Sequence, residues 1–152
     1  MIIGIDPGLD GAIAWLADDL AFAEVKDMPT MALTLGRRQV NAAELAKMIR
    51  MELYRIPKTV YLERVSAMPG QGVSSMFSFG TSYGVVLGVL GALGYPVELV
   101  TPQQWKKRAG LIGKEKEAAR TLAQQLYPQA ELGRKKDIGR ADALLIARFG
   151  NA

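Results

Sequence analysis

The chain has 152 residues, 49% of them hydrophobic and 22% charged, with a formal net charge of +4. Those proportions describe one globular domain spanning 1–152 with a real core. Neither cysteine nor histidine occurs, which excludes disulfides and thiolate zinc sites and fits a reducing compartment. Any bound metal then has to be a hard cation on oxygen ligands, such as Mg²⁺ or Mn²⁺. An acid as early as Asp6 argues against a signal peptide.

The first elements are strands. Residues 2–6 form a branched aliphatic run, Ile2-Ile3-Gly4-Ile5-Asp6, that gives way to a Pro7-Gly8 turn. Residues 11–17 and 20–26 read as two more strands, separated by Asp18-Asp19. Over 41–55 the period becomes helical, with Leu45, Met48, Ile49 and Leu53 on one face and Asn41 and Glu44 spaced as a capping box. Residues 59–65 return to strand and carry Glu63 late in the run, before a loop over 67–72.

Residues 74–94 predict a long apolar helix, and 96–101 a strand. Helices are expected over 102–108, 114–127 and 140–149. Three strands followed by alternating strands and helices predict a mixed α/β sheet. The 73–93 stretch is apolar enough to raise a membrane span. Its Ser, Thr and Gly content argues instead for core packing, or for a dimer contact through Gly80, Gly84 and Gly88. No membrane association is expected.

Charge is unevenly spread. Residues 1–100 hold 8 Lys and Arg against 10 Asp and Glu, whereas residues 101–152 hold 11 against 5. A basic C-terminal third suits a polyanion such as nucleic acid, although a solvated basic face has the same composition.

Four acids stand in suggestive places. Asp6 and Glu63 lie near the ends of predicted core strands, where parallel neighbours bring them together. Asp142 sits in Arg140-Ala141-Asp142-Ala143-Leu144-Leu145, a helix apolar on most sides, and Asp137 precedes it by five residues. Each has a plainer reading: a turn opener for Asp6, an ion pair for Glu63, a helix N-cap for Asp137. Asp142 is harder to dismiss, because buried acids are rare without a partner. Asp10 reads as a turn residue. Together the acids suit a site holding two divalent ions about 3.5–4 Å apart for phosphodiester hydrolysis without histidine.

These residues resemble the RuvC-type Holliday junction resolvases. Gly4-Ile5-Asp6-Pro7-Gly8, Leu62-Glu63-Arg64-Val65 and Ala141-Asp142-Ala143-Leu144 follow that family's order. Met68-Pro69-Gly70-Gln71-Gly72-Val73-Ser74 and Pro102-Gln103-Gln104-Trp105-Lys106 look like its bacteriophage-encoded branch. The resemblance spans nearly the whole chain. It implies a ribonuclease H-like five-stranded sheet with helices on both faces, and a homodimer. It also implies Mg²⁺-dependent nicking of branched, four-way junction DNA in recombination, repair or phage genome processing, with two ions per site. The expected location is the cytoplasm of a bacterium or of an infected bacterial cell.

The resemblance maps Asp6, Glu63 and Asp142 onto catalytic metal ligands. Bacterial members place another ligand three residues before the last aspartate, where this chain has Gly139. Asp137 is the expected substitute, although five helical residues turn about 140° away from Asp142. Lys106 and Lys116 fall near family lysines that face phosphates, and Lys107, Lys114, Arg134, Lys135 and Lys136 widen the basic surface. Where the family opens the junction with an aromatic, this chain has Ser66 and Met68, so Met68 is the expected wedge, with Gln71 beside it on the DNA side. Trp105 is read as a core aromatic, or alternatively as a base-stacking one. A looser branched-DNA nuclease and a non-catalytic junction binder share these features. Actin-like kinases open with a similar Asp-x-Gly loop but need two such domains.

Overall fold

The computed structural model describes residues 1–51 and 56–151. Five strands form one mixed sheet: β1 (Ile2–Asp6), β2 (Ala12–Leu16), β3 (Ala23–Asp27), β6 (Thr59–Glu63) and β7 (Val97–Val100). Their order is β3-β2-β1-β6-β7. β1, β2 and β3 pair antiparallel, whereas β6 lies parallel to both β1 and β7. The five sheet strands expected from the sequence are all present.

Strand alternation divides the core into two layers. Ile3, Ile5, Ile13, Trp15, Val60 and Leu62 face one way. They are covered by Leu45 and Ile49 of α1 (Ala42–Met51) and by Val86, Val89 and Leu90 of α2 (Val73–Leu93). Ala12, Ala14, Leu16 and Tyr61 face the other way. There they meet α3 (Pro102–Arg108), α4 (Lys116–Leu126) and α5 (Ile138–Phe149). Helices therefore cover both faces.

α5 lies against β1 at backbone distance. A Cβ on Gly4 would run into the carbonyl of Ala143 and the amide of Ala147, so any larger residue would push α5 away. That contact fixes the height of α5 over the sheet.

Several boundaries differ from expectation. α1 starts where predicted, and Asn41 Oδ1 accepts from Glu44 N at 3.2 Å. The reciprocal half of the box is replaced, because Asn41 N donates to Pro29 O at 2.9 Å. The predicted end of this helix, including Leu53, falls outside the described residues. Residues 27–40, for which the sequence predicts no element, contain a hairpin of β4 (Thr30–Ala32) and β5 (Arg38–Val40). Strands of three residues are too short to show an alternating pattern.

α2 is long and apolar enough to cross a membrane by length and composition. Core packing accounts for one stripe of it: its buried residues are Ser82, Val86, Val89 and Leu90. Val73 and Phe77 are 88% and 78% exposed.

Candidate active site

The parallel register sets Ile5 opposite Leu62, so Asp6 and Glu63 end adjacent strands side by side. Parity puts both on the α5 face, Asp6 in phase with Gly4 and Glu63 in phase with Tyr61. α5 then delivers Asp142, one residue from the Ala143 carbonyl that touches Gly4. Three sequence-distant acids thus converge where the carboxyl ends of parallel strands meet a helix.

Their electrostatics follow from crowding. Burial first, and then the Asp6 and Glu63 carboxylates, push Asp142 up to about 7. Asp6 is raised by burial, partly offset by the Gly8 amide, which donates to its Oδ1 at 3.0 Å. Glu63 is raised mainly by burial as well, opposed by a hydrogen bond from Trp105 Nε1 to its Oε2 at 2.7 Å. Lys106 lowers all three. A mutually repelling set of oxygen ligands beside one lysine suits a hard divalent cation in chemistry. As the side chains stand, no group of three or more acids among the described residues forms a ready-made cation site.

Metal-free protein should therefore lose stability as pH rises. The folded state holds a proton on Asp142 up to about pH 7, whereas the unfolded chain releases it near pH 3.9. Between those values the folded form binds more protons, so raising pH favours unfolding. The expected cost between pH 5 and 7 is roughly 2 kcal/mol, or a fall of about 4–8 °C in Tm. Asp142→Asn should reduce this slope in thermal melts. Equal slopes in the two proteins would place the shift elsewhere.

A cleft of about 510 Å³ opens beside Asp6 and Asp142, and Lys106, Lys114, Lys116 and Lys136 line it. Asp10 lines it too, 90% exposed in its side chain and paired with Arg38 of β5 at 2.8 Å. Lys107, Ser66, Met68 and Gln71 are exposed but do not line the cleft.

Asp137 does not join the acids, which corrects its expected place among them. It occupies the N-cap position of α5, yet its carboxylate makes no capping bond. Oδ2 accepts from Arg134 N at 2.7 Å and Oδ1 from Arg134 Nε at 2.8 Å, with Arg140 Nε 3.8 Å away. Burial alone would raise this buried acid, but the Arg134 bonds outweigh it and hold Asp137 below the usual carboxylate range. Arg134, expected on the DNA side, is spent on Asp137 and Asp27.

Gly139 cannot be a carboxylate in this backbone. Its Cβ position is filled by the Asp10 carbonyl oxygen, with Gly11 Cα 3.0 Å away. The turn between β1 and β2 leans on α5 at the point where the resemblance expected another ligand. Trp105 is fully buried, which removes base stacking as its role. Its partnership with Glu63 was not foreseen. The Thr101-Pro102-Gln103-Gln104 spacing was the available signal, since it forms a capping box that fixes where α3 begins.

No family model matches the chain. It is 38% identical over 119 residues to the chloroplastic Holliday junction resolvase MOC1 of Chlamydomonas reinhardtii. That match takes in 75% of this chain and 14% of the relative, so the chain spans about one seventh of the curated protein it resembles. Among solved structures, Thermus thermophilus RuvC in complex with a Holliday junction substrate aligns with a TM-score of 0.61 and 21% identity, over 96% of this chain and 89% of that one. The yeast mitochondrial Holliday junction resolvase Ydc2 aligns with a TM-score of 0.57 and 16% identity, over 96% and 75% of the two chains. The chain is thus a sequence homologue of a Holliday junction resolvase, built on the ribonuclease H-like fold of the RuvC type.

Proposed function

We propose that this protein is a divalent-metal-dependent endonuclease that resolves four-way DNA junctions. The observation that carries the reading is the convergence of Asp6, Glu63 and Asp142 beside a cleft lined by four lysines. Its similarity to the MOC1 resolvase supports the same substrate class.

Asp6, Glu63 and Asp142 would hold Mg²⁺ or Mn²⁺, which when bound supplies an activated water and offsets charge on the leaving 3′-oxygen. Lys106, Lys114, Lys116 and Lys136 would bind phosphates, giving salt-sensitive affinity with little sequence information. Lys106 also offsets the repulsion among the acids before the metal arrives. Met68, 63% exposed in the loop after β6, would press into the opened junction centre with Gln71 near it.

Two coordinated cuts require two sites. The unburied side of α2, with Phe77 exposed and open space at Gly80, Gly84 and Gly88, is the surface a second copy would cover. The bacterial or phage-infected cytoplasm is the compartment proposed, on the resemblance to the phage branch.

Cleavage of a four-way junction, a fork, a flap and linear duplex, each with Mg²⁺ and with EDTA, tests this directly. The junction should be cut fastest, with Mg²⁺ and not with EDTA. Equal rates on linear duplex would replace the resolvase reading with a looser nuclease. Tight junction binding with no cleavage in Mg²⁺ or Mn²⁺ would make the protein a binder.

A further inference from the structure

The geometry points to Trp105 as the residue that positions Glu63 and Lys106 for metal-dependent cleavage, a role that rests on the nuclease reading above. One indole serves both groups. Its edge donates from Nε1 to Glu63 Oε2 at 2.7 Å, and its face lies under Lys106 Nζ, 5.2 Å from the ring centroid. Among the described residues Glu63 Oε1 has no hydrogen-bond donor, so one carboxylate oxygen is held while the other is available to a cation.

The indole is itself tightly held. At the start of α3, Gln104 N donates to Thr101 Oγ1 at 3.2 Å, and Thr101 N donates to Gln104 Oε1 at 2.8 Å. At its end, Arg108 Nη1 donates to the carbonyls of Phe149 and Gly150 at 3.0 and 2.9 Å, tying α3 to the end of α5. Trp105 between them is fully buried. A long glutamate side chain loses rotamer freedom when it is fixed. Folding meets that cost here before any metal binds, which is how an outer partner raises the affinity of a ligand set.

Burial alone does not demand this bond. The other tryptophan, Trp15, is 2% exposed, and among the described residues its Nε1 has no hydrogen-bond partner. The pairing at Trp105 is therefore specific to the place where β6 ends in Glu63.

Trp105→Phe keeps an aromatic face and removes the N–H. Mn²⁺ binding, read from the loss of the free-ion electron paramagnetic resonance signal, should weaken about tenfold or more. Junction affinity in EDTA should stay within about twofold, because no phosphate contact is removed. Single-turnover cleavage should recover towards wild type as Mn²⁺ is raised to saturation. A thermal melt checks folding. Should the variant be unfolded, 3-benzothienylalanine at position 105, isosteric with indole but lacking the N–H, takes its place. Unchanged Mn²⁺ affinity in the folded variant would overturn the positioning role. A parallel loss of Mn²⁺ affinity, junction affinity and melting temperature would overturn it too, as general damage. A wild-type protein that binds no Mn²⁺ would sink the nuclease reading and this role together, a result distinct from either of the others.

Discussion

Asp6→Asn is expected to lower junction cleavage at least about 100-fold while leaving junction binding intact or stronger. Loss of partners one shell removed from a metal already costs about 10–100-fold, and in the site proposed above Asp6 would touch the metal itself. The substitution is nearly isosteric and the Gly8 amide can still donate to the remaining oxygen, so the turn after β1 should survive. It also removes one of three repelling charges, which relieves Asp142 and favours an approaching phosphate. Single-turnover cleavage in Mg²⁺ and gel shifts in EDTA separate the two effects. Cleavage at the wild-type rate would remove Asp6 from the chemistry and with it the metal site.

Gly139→Asp should destabilise the protein rather than complete the ligand set. The resemblance invites this change, since it implies a ligand at that position in the bacterial RuvC-type resolvases. Here a Cβ would meet the Asp10 carbonyl and Gly11 Cα, both of them backbone and unable to rotate away. Either α5 rises from the sheet or the turn between β1 and β2 shifts, and the first displaces Asp142 while the second disturbs Asp6. Overpacking of this kind costs about 3 kcal/mol or more at the severe end, which corresponds to a fall of about 6–12 °C in Tm for a chain this size. Higher cleavage with unchanged melting would show that the turn yields easily and that the missing ligand can be restored.

The acids that converge were legible in the sequence because each stood at odds with its surroundings. Asp6 ended an aliphatic strand and Asp142 interrupted an apolar helix, and such residues advertise a partner before the partner is known. Asp137 misled for the opposite reason. Its partners, Arg134 and Arg140, sit three residues to either side of it, a local ion pairing that satisfies the acid without any distant carboxylate. Trp105 was placed correctly in the core, but its partner lies 42 residues away, and a donor direction cannot be read from a residue type. The role of Gly139 depends on how the backbone of a turn meets a helix, which no pattern of side chains records. The β4–β5 hairpin escaped because its strands are shorter than one full alternation can reveal.

The two-residue period of β1 and β6 has a consequence for how this protein can change in length. Asp6 and Glu63 reach the same face because each is an even number of residues from its neighbour against α5, Gly4 and Tyr61. Inserting or deleting a single residue within either pair would rotate an acid onto the face covered by α1 and α2, even with every contact of the other strand intact. The exposed residues 66–72 beyond β6 carry no such phase. Length variation among relatives should therefore collect just past Glu63 and stop abruptly at it, leaving the acids in frame while the loop proposed to face DNA is remodelled.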